Sequence, residues 1–331
     1  MRDHVFCTKT TSVVLAAVSL PILIATAAIA QPAWPTREIR LIVPFVAGSG
    51  TDSVARLMAE RLREVWKQPV VLENIPGSSG TIGVTKLARS AADGYTLVLS
   101  GDAAIVVAIS MFRSLAYDPT KDLVPIIQIG RTPNVLVVNA ARGPGSLREL
   151  VAAAKDKPGT ITFNSAGFGT SQHMGFEQLK RMAGIEILHV PSRTSTVPDI
   201  LGGHVTASFM NILVALPHVR EGTMKALAVS GSARASAAPN VPTVAEQGYP
   251  DFNAVAWFGI LSPAGTPNEI VRKVHSDVAK VLSDPEFKSR VTQFGLELEE
   301  HSTPETFAAF IKQEIPRIGE IVKASGIKLD E

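Results

Sequence analysis

From residue 39 onward, short apolar runs alternate with stretches whose apolar positions recur every three or four residues. The runs at 39–45, 70–73, 96–99, 135–139, 161–163, 186–190, 205–210, 225–229 and 256–261 predict strands. Between them, Val54, Leu57, Met58, Leu62, Val65 and Trp66 share one face of a helix predicted over 53–66, with Arg56, Glu60, Arg61 and Glu64 elsewhere. Further helices are predicted over 81–89, from the Ser146/Glu149 capping box to about 155, and over 171–182, where Gly184 stops the turn. Thr51 or Asp52 is the expected N-cap of the first helix. Beyond 261 helices dominate, with Thr266-Pro267 and Thr303-Pro304 as N-cap and first-turn pairs and a kink expected at Pro316. The ordering predicts α/β layers around a largely parallel sheet.

Two loops stand out because each joins a strand to a helix. One is Pro44-Phe45-Val46-Ala47-Gly48-Ser49-Gly50-Thr51-Asp52, and the other is Ser165-Ala166-Gly167-Phe168-Gly169-Thr170-Ser171. Their glycines permit close approach, their hydroxyls donate, and the free N–H groups at a helix start attract anions. Two such loops more than a hundred residues apart predict two lobes gripping one small anion, and capture of a carboxylate rather than chemistry on it. The predicted lobes are 31–131 with 256–331, and 132–255, the chain crossing near Arg131 and again near Ala256.

Residues 1–30 stand apart from this fold. Arg2 and Lys9 precede the apolar stretch 13–30, and Ala28-Ile29-Ala30 before Gln31 is a cleavage-type site, so a secretory signal and a periplasmic mature protein are expected. An N-terminal membrane anchor is the alternative; the cleavage chemistry and missing stop-transfer flanks favour removal. The lone cysteine, Cys7, leaves with the signal, so the mature chain relies on an ordinary core. A net charge of +2 and the absence of a basic tract argue against nucleic acid. No histidine pair has metal-ligand spacing, and no metal or cofactor is expected. Gly48-x-Gly50 lacks the third glycine of a dinucleotide loop.

Other residues offer weaker candidates. Ser171 or Ser165 with His173 reads as nucleophile and base of a hydrolase, but neither a G-x-S-x-G elbow nor an orienting third group is evident. His173 otherwise lines the cleft or supports the helix start. In the stretch Ser192-Arg193-Thr194, Arg193 is able to pair a carboxylate bidentately, against the alternative of a solvated loop.

These features together resemble the Bug family, the substrate-binding receptors of tripartite tricarboxylate transporters. The resemblance runs through Trp34-Pro35, the 48–52 loop, Gln68-Pro69-Val70-Val71-Leu72-Glu73-Asn74, the 76–80 turn and Asp93-Gly94-Tyr95-Thr96-Leu97. It continues in Tyr117-Asp118-Pro119, Pro133-Asn134-Val135-Leu136-Val137, Ser165-Ala166-Gly167, Asn240-Val241-Pro242-Thr243-Val244-Ala245-Glu246, Trp257-Phe258-Gly259 and Pro263-Ala264-Gly265-Thr266-Pro267. It implies a monomeric, type II Venus-flytrap receptor, with a mixed, mostly parallel sheet in each lobe, that passes a small organic acid to a membrane permease. A ligand sensor for a signalling receptor is the alternative within binding proteins. It also implies a clamp of Phe45, Gly48, Ser49, Gly50, Thr51 and Asp52 facing Ser165, Ala166, Gly167, Gly169, Thr170 and Ser171, with Gly80 at the cleft edge. Where the family carries tyrosine-lysine-glycine this chain has Ser192-Arg193-Thr194, and a common acidic position is matched by Met210 beside Asn211. That change implies a ligand without an ammonium group.

Overall fold

The computed structural model describes Met1 and residues 34–192, 195–293 and 295–325. The signal segment with its Ala30/Gln31 cleavage, and the side chains of Arg193 and Thr194, lie outside the described residues.

The first sheet begins with β1 (Ile39–Val43), which leads into α1 (Gly50–Trp66). There follow β2 (Val70–Asn74), α2 (Thr81–Ala88) and β3 (Thr96–Gly101). A π-helical turn over Ala103–Val107 runs into α3 (Ala108–Met111), and β4 (Leu123–Asn139) then carries the chain out of this lobe. The second lobe holds α4 (Leu147–Asp156), β5 (Thr162–Ser165), α5 (Ser171–Ala183), β6 (Leu188–Pro191) and α6 (Val197–Gly202). It closes with β7 (Ala207–Asn211), α7 (Ile212–Arg220) and β8 (Met224–Val229). Then β9 (Val255–Pro263) returns the chain, followed by α8 (Asn268–Ser283), α9 (Pro285–Gln293), β10 (Glu297–Leu298) and α10 (Pro304–Ser325).

The strand order is β2-β1-β3-β9-β4-β7-β5-β6, with β8 and β10 also on β4. Parallel pairing holds in the outer strands, β1 with β2 and β3, and β5 with β6 and β7. The centre departs from the mostly parallel expectation. There β9 is antiparallel to β3 and β4, and β4 is antiparallel to β7 and β8. The reason is topological: β4 leaves one lobe and β9 re-enters it, so the two crossing strands must run in opposite directions. Residues 123–133 of β4 pair β9, whereas 134–139 pair β7 and β8.

Each sheet is covered on both faces, as apolar strands demand. In the first lobe α1, α8 and α9 bury Met58, Leu62, Val274 and Phe287 on one side, while α2, the π turn and α10 bury Val84, Leu87, Ile105 and Phe307 on the other. In the second, α4 and α5 bury Leu150, Phe176 and Leu179 against Phe163 and Phe209, opposite a layer formed by α6 and α7. Met174 of α5 and Leu213 of α7 pack into the first lobe's clusters, so the lobes interlock.

Helix starts account for several differences from the sequence reading. Ser49, not Thr51 or Asp52, caps α1: its Oγ accepts from Asp52 N–H, and the Asp52 carboxylate in turn accepts from Gly48 N–H. That reciprocal pairing draws Gly50 and Thr51 into the first helical turn. At α8 the helix starts one residue later than expected, because Thr266 donates back to Pro263 O instead of capping. Thr303 does cap, accepting from Thr306 N–H. Pro316 lies inside a continuous α10.

Candidate functional site

A short β1-to-α1 loop meets a short β5-to-α5 loop across one cavity. Ser49, Gly50 and Thr51 line it from the first lobe, and Ala166, Thr170, Ser171 and Gln172 from the second. Phe45, Gly101, Asp102, Asn134, Asn211, Ala256 and Phe258 complete its wall. The two loops are also locked together by close packing. A Cβ on Gly50 would lie 2.6 Å from Asn211 Cγ, and one on Gly169 would lie 2.6 Å from Met111 Sδ. Each loop thus presses a glycine against the opposite lobe, where any larger residue would hold the lobes apart.

The first loop is built by Asp52. Its buried carboxylate accepts from Gly48 N–H at 2.9 Å, Arg56 Nε at 2.8 Å and Asn74 Nδ2 at 3.0 Å, and Asn74 also donates to Phe45 O. These donors hold its pKa below the usual value against the opposing effect of burial, which is the largest single influence. Asp52 therefore shapes the loop from a buried position outside the cavity lining. The N–H groups of Gly50 and Thr51, first in the helix, have no intrahelical acceptor and border the cavity.

The second loop requires a larger correction. Three of its N–H groups expected to meet an anion are already engaged. Ala166 N–H donates to Gln172 Oε1 at 2.7 Å, Gly167 N–H to Ser165 Oγ at 3.2 Å, and Gly169 N–H to His173 Nδ1 at 3.2 Å. Ser165 is fully buried and His173 nearly so, and both act as scaffold. Thr170 caps α5 by accepting from His173 N–H. From this lobe Ala166, Thr170, Ser171 and Gln172 border the cavity, the last two as the first residues of α5.

Sequence reasoning missed Asp102 altogether. It lies where β3 turns into the π helix, and its half-buried carboxyl group meets the Ser171 N–H at the start of α5. Burial raises its pKa to about 7, with Glu314 adding like charge, while N–H groups of Ala103, Asp102 and Ser171 pull the other way. The second helix start is thus engaged by the protein's own carboxyl group. Asp102 also places an acidic side chain on the cavity wall. Nothing in the patterning of Ser100-Gly101-Asp102-Ala103 signals this, because a π turn carries no periodicity of its own.

The rings of His173 and His189 pack 4.4 Å apart between Phe163 and Phe168. Burial lowers their pKa values to about 3 and about 4, so both are neutral at physiological pH. Ser171 Oγ accepts from Asn134 Nδ2, while His173 Nδ1 faces Gly169 N–H; the nucleophile–base pair considered from sequence is not formed. A different pair, Ser165 Oγ and His189 Nε2 at 2.8 Å, links the buried Ser165 to a half-buried His189 on β6, and His189 Nδ1 has no partner among the described residues. Ser192 donates to Asp199 and accepts from Asn164, at the rim. Asn211 caps α7 through Leu213 N–H and donates to Thr132, with its side chain against the cavity.

Outside this inner pocket the cleft widens. Phe45 and Ala166 are common to it and to a larger chamber of about 650 Å³, which Pro76, Gly80, Phe112, Phe168, Pro191 and Ser192 also line. Gly80 therefore sits at the cleft edge, and the hydroxyl of Ser79 lies 3.9 Å from where a Gly167 Cβ would be.

Two α/β lobes joined by paired crossing strands, with one cavity between their strand-to-helix loops, define a periplasmic-binding-protein fold. The chain belongs to the tripartite tricarboxylate transporter receptor family, whose model matches residues 54–327. It is 38% identical to the protein BugT of Bordetella pertussis, over 93% of this chain and 96% of BugT. A structure of R. palustris Rpa4515 with adipate superposes with a TM-score of 0.85 at 32% identity, covering 89% of this chain and 99% of that one. MatC from Rhodopseudomonas palustris with bound malate gives 0.82 at 31% identity, covering 87% and 100%.

Proposed function

We propose that this chain is a periplasmic solute receptor that captures an organic carboxylate in the inner pocket and presents its closed form to a tripartite membrane permease. One observation carries the reading: loops from both lobes, each beginning a helix, border the same cavity. The proposed lobes are residues up to 131 with 256 onward, and 132–255, hinged on β4 and β9. The ligand contacts are Gly50, Thr51, Ser171, Gln172 and Asn211. Asp52, Ser165, Gly167, Gly169 and His173 hold those contacts in place.

The energetics ask for closure. A helix start contributes about 0.3–1 kcal/mol when exposed and up to ~2 when partly buried. Micromolar affinity needs about 8 kcal/mol. Most must come from hydrogen bonds in a pocket dehydrated by both lobes. A ligand touching both lobes favours the closed state, and one touching a single lobe does not.

Thermal unfolding with succinate, malate and adipate tests the reading. A true ligand at one hundred times its Kd stabilises the protein by about 2.7 kcal/mol, rising with concentration. A panel of mono- and dicarboxylates that leaves the midpoint unmoved at millimolar concentration refutes carboxylate capture.

A further inference from the structure

We propose that the acid taken by this receptor carries a bulky apolar body, an aryl or medium-chain alkyl group, seated in the outer chamber while its carboxylate enters the inner pocket. The inference rests on the carboxylate reading above and adds the substrate class.

The two spaces differ in size. The inner pocket is about 40 Å³, and a water needs ~10–15 Å³ of such space, so it admits about three water-sized groups, the size of one carboxylate. The outer chamber, about 650 Å³, falls in the range of about 300–1,000 Å³ typical of drug-sized ligands. A compact four-carbon acid would leave most of it to water.

Three phenylalanines, Phe45, Phe112 and Phe168, face this chamber with Val46, Pro76 and Pro191. Phe168 is fixed edge-on against His173 and His189, whose rings are 5.2 and 4.8 Å away, so that wall is preformed. Both histidines are neutral, and no lysine or arginine lines either space among the described residues. A second carboxylate at the far end of the ligand therefore meets rings and Ser78, Ser79 and Ser192 hydroxyls, not a described cation. An aromatic or alkyl group meets the rings of Phe45, Phe112 and Phe168.

Titration calorimetry of the mature protein at fixed pH, with butanoate, hexanoate, octanoate and 3-phenylpropanoate beside malate and succinate, decides the matter. Each added methylene is expected to tighten binding roughly fourfold until the chamber fills. Phe112→Ala should lower the ratio of 3-phenylpropanoate to malate affinity about tenfold or more. Val46→Lys, at a half-exposed loop position that tolerates the change, should reverse the preference toward dicarboxylates. A flat alkyl series, or malate and succinate binding more tightly than every apolar acid, overturns this proposal and leaves carboxylate capture standing. Failure of all six acids to bind overturns the underlying reading instead.

Discussion

Replacing Asp102 with asparagine tests the electrostatics of the cleft directly. The native carboxyl group is raised from 3.8 to about 7, first by burial and then by Glu314. At ~1.36 kcal/mol per unit the full shift corresponds to a ceiling of ~4 kcal/mol. The group is half-buried and solvent screening reduces this, so about 1–2 kcal/mol is expected. Glu314 and Arg317 on α10, paired with one another, and Arg131 on β4 share a neighbouring cavity with Asp102. The sign follows from proton linkage. A raised folded-state pKa gives stability that is complete below 3.8 and is lost as pH rises through about 7.

An asparagine side chain has no proton to lose, so the stability difference between D102N and wild type should grow with pH and level off above 7. At pH 8 the variant should melt about 2–4 °C higher, at ~2 °C per kcal/mol for a chain of this size. Ligand titration provides the second readout. An anion at the start of α5 competes with ionised Asp102 and accepts from its neutral form. Wild-type affinity should therefore fall from pH 6 to pH 8, approaching tenfold per unit above 7, while D102N stays flat. Equal pH slopes in the two proteins, or a variant less stable than wild type at pH 8, would refute the reasoning.

Gly50→Ala should weaken ligand binding at least tenfold with a small change in melting temperature, because the new methyl meets Asn211, itself held by Thr132 and Leu213; scattering that shows unchanged ligand-induced compaction would contradict this. Ser49→Ala removes the α1 cap and should cost about 1 kcal/mol in denaturant unfolding. His173 and His189, with folded-state pKa values near 3 and 4, contribute stability that is present above their unfolded value of 6.5 and lost as pH falls below it. Melting temperature should accordingly decline between pH 6 and pH 4, and H189N should shallow that decline. Gln172→Ala frees the Ala166 N–H and loosens the second loop, an effect visible as faster hydrogen exchange across 166–169.

Much of the architecture was legible because it is local. Strands at 39–43, 70–74 and 224–229 and the helix after Ser146 followed from apolar runs and caps whose partners lie within four residues. The first half of β4, residues 123–131, was missed: Pro125 and Gly130 interrupt the run, and β-bulges between it and β9 absorb both. The helix over 212–220 was hidden by Pro217, which its neighbours tolerate near the last turn. In the site, the two loops were readable from glycine and hydroxyl content, but the roles of their residues were not.

The sequence by itself determined that two strand-to-helix loops exist and that their glycines are needed for close approach. These are matters of backbone conformation and nearest neighbours. Only the tertiary structure decided that Asp52 and His173 turn inward as scaffold, that Gln172 occupies the Ala166 N–H, and that Asp102 stands before α5. Each depends on which hydrogen-bond partner a folded turn or an opposing lobe brings within reach. Asp102 meets Ser171 across 69 residues of chain, on the far side of β4, and a contact of that kind leaves no periodic trace in the order of amino acids.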